Sequence, residues 1–196
     1  RQDRVTLLVL DLRNGQSVEV LGRDAVYSYV DNDLHYAWSP DSRWLVTRTG
    51  FEGTAEIELL DATGRQPRRN ISRSGFADML PQFSADGQTI LWASDRVAPR
   101  TADSNPAALD VYAAFLTREA FEAFLASPDD RARQALLAQR QTAGKPGSAT
   151  APVAPVAQAA TARPAATSAD PPDLRGIERR TVRLTPFSVE PQFFRL

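Results

Sequence analysis

The chain has 196 residues, 42% hydrophobic and 24% charged, and its 23 basic and 24 acidic side chains leave a formal net charge of −1. That near-neutral balance offers no polybasic surface for nucleic acid or an anionic membrane. It has no cysteine, which excludes disulfides, thiolate metal sites and a cysteine nucleophile, and its longest aliphatic run, Val5-Thr6-Leu7-Leu8-Val9-Leu10, is far too short to span a bilayer.

The first residue is Arg1 rather than Met, and the last, Arg195-Leu196, fall inside a strand-like pattern. Both ends therefore read as cut from a longer polypeptide. Near the start, Leu8-Val9-Leu10-Asp11-Leu12-Arg13-Asn14-Gly15 predicts a strand running into an Asp-initiated turn closed by glycine. Tyr36-Ala37-Trp38-Ser39-Pro40-Asp41-Ser42-Arg43-Trp44-Leu45-Val46 then predicts a strand ending on an aromatic residue, a tight turn and a second strand. Gly50-Phe51-Glu52-Gly53 reads as a hairpin tip rather than a phosphate-cradling loop. Glu58-Leu59-Leu60-Asp61-Ala62-Thr63-Gly64 repeats the first motif, and a polar strand returns over 66–71. Gly15 and Gly64 suit the positive φ that such a turn requires.

Pro81-Gln82-Phe83-Ser84-Ala85-Asp86-Gly87-Gln88-Thr89-Ile90-Leu91 repeats the Tyr36 motif, and Phe83 follows Trp38 by 45 residues. This is the period of a four-stranded propeller blade. Asp110-Val111-Tyr112-Ala113-Ala114-Phe115-Leu116 falls at the third strand of the second blade, and its fourth strand arrives late, as Arg180-Thr181-Val182-Arg183-Leu184-Thr185. Pro191-Gln192-Phe193 repeats Pro81-Gln82-Phe83 and would open another blade. The expected fold is thus all-β: a partial β-propeller of about two four-stranded antiparallel blades with a helical, low-complexity insertion. A β-sandwich with coincidental turns is the competing architecture.

Within the insertion, 118–141 has helical spacing that puts Phe121, Phe124 and Leu125 on one face. Ser127-Pro128-Asp129-Asp130 breaks it and starts a second helix, with Ser127 as cap and Pro128 in the first turn. The pair predicts a helical hairpin packed on the propeller rim, its aromatic face serving as core. Residues 141–172 are rich in Ala, Pro, Thr and Ser and lack the apolar surface that would offset ordering entropy, so a flexible, partly extended linker is expected. The implied division is 1–117 blades, 118–140 helical insertion, 141–176 flexible linker, and 177–196 return strand and start of the next blade.

Catalytic chemistry is sparse. His35 is the one histidine, and no serine and acidic residue form a recognisable arrangement with it. One histidine and no cysteine leave only scattered carboxylates for a metal. Asp11, Asp41, Asp61 and Asp86 lie in turns, where they bond to backbone amides. No catalytic, cofactor or metal site is therefore assigned. The exposed group Ser94-Asp95-Arg96, opening a loop that runs through Asn105, supplies the candidate residues to line a channel or to tie neighbouring blades together.

Trp38-Ser39-Pro40-Asp41-Ser42 and Phe83-Ser84-Ala85-Asp86-Gly87, each followed by a short apolar strand, resemble the repeats of TolB-type and tricorn-type propellers. Ala93-Ser94-Asp95-Arg96, the 110–117 strand, the insertion and Glu178-Arg179-Arg180-Thr181-Val182-Arg183-Leu184-Thr185 are similar to tricorn protease homologues. That resemblance implies a non-catalytic section of a serine peptidase acting on oligopeptides, serving as scaffold and peptide gate. It implies as partners the remaining blades, downstream PDZ-like and peptidase domains and peptide substrates, in a homo-oligomeric, soluble parent of cytoplasm or periplasm; neither nucleic acid nor membrane is expected. The alternative is a TolB-like protein-interaction propeller with no peptidase. A propeller cap of a prolyl-oligopeptidase-like hydrolase is the third option, without support from the insertion.

Overall fold

A computed structural model describes residues 3–4, 6–28, 34–97, 108–143 and 172–188. In chain order the strands are β1 (Asp3–Arg4), β2 (Leu7–Asp11), β3 (Gln16–Leu21), β4 (Tyr27–Ser28), β5 (Tyr36–Trp38), β6 (Trp44–Thr49), β7 (Glu56–Asp61), β8 (Arg69–Asn70), β9 (Asp78–Phe83), β10 (Thr89–Ser94), β11 (Asp110–Phe115) and β12 (Thr181–Arg183). β2 and β3 form a hairpin, and β1 pairs with β4. β5 to β8 make one four-stranded antiparallel meander, and β9 to β12 a second. The described part is mostly β, in antiparallel sheets, which is the arrangement a partial propeller would have.

The repeated turn has the same bonds in both copies. Ser39 Oγ donates to Asp41 Oδ1 at 2.6 Å and accepts from Trp44 N at 2.9 Å, while Asp41 Oδ1 accepts from Arg43 N at 3.1 Å. Ser84 Oγ donates to Asp86 Oδ1 at 2.6 Å and accepts from Thr89 N at 3.0 Å, and Asp86 Oδ1 accepts from Gln88 N at 2.9 Å. The serine thus satisfies the first amide of the next strand, and the aspartate fixes both serine and turn. The position after aspartate is left-handed in each copy, Ser42 at φ 61° and Gly87 at φ 71°. The other turn type behaves as expected too: Asp11 accepts from Arg13 N, and Asp61 from the amides of Thr63, Arg65 and Gln66.

Alternation along the strands stacks the sheets. Trp44, Val46, Ile57, Leu59 and Ile71 of the first meander share a buried core with Ile90, Trp92, Tyr112 and Ala114 of the second. The opposite face of the first meander, through Leu45 and Leu60, packs with Leu21, Ala25 and Val26, with Leu7 and Val9 alongside. The first meander is therefore covered on both faces, which is why every residue of β6 is buried. Trp92 and Tyr112 stack with ring centroids 5.9 Å apart in the joint core, and rings in this range add to their area burial.

The return segment closes the second meander from a long way along the chain. β12 pairs with β11 through Tyr112↔Arg183, Ala113↔Val182 and Ala114↔Thr181. Asp110, fully buried, accepts from Arg183 Nε at 2.9 Å and from Thr185 Oγ1 at 3.0 Å, and Arg183 completes the ion pair at 2.7 Å. Arg180 donates to the carbonyls of Phe115, Arg175 and Asp173. The segment also seals the sheet-to-sheet joint. Leu174 and Ile177 enter the shared core, Arg73 pairs with Glu178 at 2.7 Å, and Arg69 donates to the Pro172 carbonyl at 3.0 Å. Residues 172–176, placed at the end of the linker in the sequence-based division, thus carry tertiary contacts, with Leu174 as their apolar anchor.

Among the described residues the α-helices are α1 (Arg118–Leu125) and α2 (Pro128–Ala143). Thr117 caps α1 by accepting from Ala120 N, and Ser127 Oγ accepts from Asp130 N at 3.1 Å at the start of α2. Phe121 and Phe124 meet Phe115 with centroids 5.5 Å and 4.8 Å apart, so α1 covers the outer face of the second meander. The expected two-helix packing is corrected: Leu125, Leu136 and Leu137 are exposed. α2 carries its two leucines side by side among charged and small residues, so it has no apolar stripe to dock. The Pro191-Gln192-Phe193 repeat and the 144–171 linker lie outside the described residues.

Candidate functional site

Antiparallel pairing sorts the connections onto two rims. One rim holds the end of β6, the start of β7, the 71–77 connection, the end of β10 and the start of β11. There Ser94 lies opposite both Asp78 and Asp110 in the sheet. The expectation that Ser94, Asp95 and Arg96 form an exposed group is corrected: Ser94 is 0% and Asp95 6% exposed, and Arg96 is partly buried. Ser94 ends a central strand and is covered from both sides, while the Asp95 carboxylate turns back to accept from Ala77 N at 2.9 Å. The Arg96 guanidinium lies 4.7 Å from the Tyr112 ring centroid and reaches the Ser72 carbonyl at 3.5 Å, between the two meanders. The loop expected beyond it, 98–107, lies outside the described residues.

Three carboxylates of this rim bond to groups of the chain itself. Glu56 accepts from Ser72 Oγ at 2.6 Å and from the amides of Ser74 and Gly75, which fastens the connection between meanders to the first sheet. Asp78 accepts from Ser74 Oγ at 2.6 Å. Burial pushes the Asp78 carboxyl above its ordinary range, against the opposing effect of the Ser74, Ser94 and Ser72 hydroxyls and of Arg96. Asp110 is taken up by Arg183 and Thr185, as above. Sequence reading passed over Asp78 and Asp110 because a carboxylate at a strand end looks like a solvated one until its neighbours in the sheet are known.

The opposite rim carries the short turns. The 11–16 turn of the β2–β3 hairpin, the 39–44 turn and the 61–66 turn surround a cavity of about 600 Å³. Its walls include Arg13, Arg43, Arg65, Asn14, Gln66 and Trp38, the last 43% exposed. The two meanders and the hairpin approach closely beside it: a Cβ on Gly64 would stand 2.6 Å from Val18 Cγ1, and one on Gly87 3.2 Å from Pro40 Cδ. The Arg13 guanidinium, hydrogen-bonded to Asp11 at 2.9 Å and 3.0 Å, holds that carboxyl down at about 2. Sequence reading named each of these turns but not the cavity, which exists only once three turns distant in sequence are stacked.

His35, the one histidine of the chain, is exposed, and its carbonyl accepts from Thr47 Oγ1 at 3.0 Å. Among the described residues no group of three or more His, Cys, Asp or Glu is placed to hold a metal ion, and no helix is long and apolar enough to cross a membrane.

The chain is 34% identical over 90 residues to a protein TolB homologue of Chlorobium chlorochromatii (strain CaD3), covering 46% of this chain and 18% of the relative. The similarity is to TolB. Among solved structures, TolB from Acinetobacter baumannii matches with a TM-score of 0.42 and 17% identity, over 59% of this chain and 25% of that one. No family model matches. The chain thus spans less than a fifth of the curated relative it matches. The curated similarity supports the TolB-type side of the resemblance and gives no support to the tricorn-type peptidase.

Proposed function

We propose that the chain is part of a TolB-like interaction propeller, a rigid scaffold that binds protein partners and performs no peptidase step. The observation that carries this reading is the 34% identity to a TolB homologue, over a chain whose turn module recurs with the same bonds. Two further features agree with it. The serines and carboxylates of the buried rim are committed to holding strands and connections, and the short-turn rim offers a cavity flanked by arginines and a tryptophan. In this reading the Ser94, Asp95 and Arg96 group serves the joint between blades, since Arg96 reaches from the second meander to the Ser72 carbonyl.

The test sets binding against hydrolysis in the longest polypeptide that contains these residues. Unlabelled oligopeptides incubated with it and followed by mass spectrometry are expected to stay intact, with no labelling by a serine-directed fluorophosphonate. Time-dependent cleavage abolished by that reagent would overturn the proposal and restore the peptidase reading.

A further inference from the structure

Of the chain's asparagines, Asn14, Asn32, Asn70 and Asn105, Asn14 alone precedes a glycine, and it does so in the turn of the β2–β3 hairpin. The carboxamide carbon of an asparagine is an electrophile within reach of the next residue's amide nitrogen, and a side chain on that next residue hinders the approach. Gly15 has none, and even a Cβ there would meet nothing within 4 Å. Both residues are exposed. Asn14 Oδ1 accepts from Gln16 N at 2.9 Å, so the oxygen that gains negative charge on attack already faces an N–H donor. One bond opposes the reaction. Gly15 N donates to the Asp11 carbonyl at 2.8 Å, and that bond must open before the nitrogen can attack. Asn70 is the contrast within the same chain: Ile71 after it is β-branched and 1% exposed, and the Ile71 amide is bound to the Ile57 carbonyl at 2.8 Å.

We propose that Asn14-Gly15 is a self-modifying site, gated by the Asp11–Gly15 bond, at which the chain converts asparagine into aspartate and isoaspartate. Gly15 N, losing its proton, bonds to Asn14 Cγ, and the side-chain nitrogen leaves as ammonia with that proton. Water then opens the resulting succinimide. Cleavage between Gly15 N and Cγ gives aspartate; cleavage between Gly15 N and the Asn14 main-chain carbonyl carbon gives isoaspartate, with one extra carbon in the main chain. Either product adds a carboxylate to a turn that already carries Asp11. The isoaspartate also lengthens a turn whose span is fixed by the Asp11↔Gln16, Leu10↔Ser17 and Val9↔Val18 pairs, and a hairpin has no slack to absorb it without losing register. Val9 packs with Leu45 and Leu60 of the first meander, so the change loosens the hairpin from its neighbour. The site is independent of the scaffold reading.

The intact chain, held in mildly alkaline buffer natively and in urea, is sampled over time by peptide mapping with mass spectrometry. The peptide containing Asn14 is expected to gain the mass of an amide-to-acid exchange, with isoaspartate identified by fragmentation and by enzymatic isoaspartyl methylation, while the Asn70 peptide stays unchanged. The reaction should run faster in urea, where the Asp11–Gly15 bond is gone. Gly15→Ala should slow it at least about tenfold in urea, where the fold plays no part, equivalent to a barrier raised by about 1.4 kcal/mol. Asn14→Gln, which would need a larger ring, should abolish the mass gain. The native isoaspartate fraction, separated by ion exchange, should show faster amide exchange across β2 and β3 than unmodified chain. Five results would overturn the assignment: no mass gain at Asn14, an equal gain at Asn70, an unchanged rate in Gly15→Ala, no acceleration in urea, or an isoaspartate fraction whose hairpin exchanges as slowly as the parent's.

Discussion

Gly15 and Gly64 each close an Asp-initiated turn, bonding to the carbonyls of Asp11 and Asp61, with nearly the same φ of 71° and 67°, yet alanine should be tolerated very differently at the two. At Gly15 a Cβ would meet nothing within 4 Å, so Gly15→Ala costs only the left-handed strain less the entropy gained, about 1 kcal/mol. At Gly64 the same Cβ would stand 2.6 Å from Val18 Cγ1 and 3.4 Å from the Glu19 carbonyl. Val18 lies on β3, so relief requires the hairpin and the first meander to move apart, and overpacking of this kind adds about 1–3 kcal/mol. Gly64→Ala should therefore cost about 2–4 kcal/mol. Val18→Ala removes the obstructing methyl, and in that background Gly64→Ala should fall back to the Gly15 value, a coupling of about 1–3 kcal/mol. Urea unfolding followed by tryptophan fluorescence gives all four stabilities. Equal costs at Gly15 and Gly64, or strict additivity with Val18→Ala, would refute the packing of hairpin on meander.

Three other perturbations bear on separate parts of the structure. Arg183→Ala strips the main partner from buried Asp110 and should destabilise the chain by about 3–5 kcal/mol, with amide exchange rising first at Val182 and Leu184; a loss under 1 kcal/mol would show that the ion pair does not hold β12. Ser42→Gly, which places glycine at a φ of 61° as Gly87 does in the second copy, should raise stability by about 0.5–1 kcal/mol in the same unfolding assay. Asp78→Asn addresses pH. Because the folded carboxyl titrates above its unfolded value of 3.8, its contribution is present in full below that value and is lost as pH rises through the folded pKa. The stability of Asp78→Asn relative to the parent, measured by denaturation from pH 4 to pH 7, should therefore move in the variant's favour as pH rises.

The repeats were legible because they are written in local chemistry. Serine two residues before aspartate and five before the next strand is a complete hydrogen-bonding unit, so Ser39 and Ser84 announce their turns without tertiary information. The order of the repeated strands then placed the missing fourth strand at 180–185, across the insertion, where β12 forms over Thr181–Arg183. Burial by stacking was less visible. Ser94 and Asp95 look solvated in sequence, and their cover comes from Asp78, Asp110 and Ala77, residues of other strands and connections. The packing of α2 was over-read from its pairing with α1 in a hairpin pattern; its Leu136 and Leu137 are exposed and need a partner face that the helix does not create. The short-turn cavity had no signature at all, since Arg13, Trp38 and Arg65 belong to three turns whose juxtaposition is a product of the stack.

The central claim is that two four-stranded meanders recur, the second completed by a strand from beyond the insertion. With no native cysteine, one engineered pair tests it without background. Ala114 and Thr181 face each other in the β11–β12 register; counting in alternation from the pair joined by the Leu184 N to Val111 O bond, theirs is a non-hydrogen-bonded pair, where antiparallel Cα atoms approach to about 4.5 Å, close enough for a disulfide. Ala114→Cys with Thr181→Cys should form an intramolecular disulfide on mild oxidation, seen as a linked peptide by mass spectrometry, while Ala113→Cys with Thr181→Cys, on opposite faces, should not. Equal cross-linking of the two pairs, or none in the first, would contradict the pairing and with it the second meander.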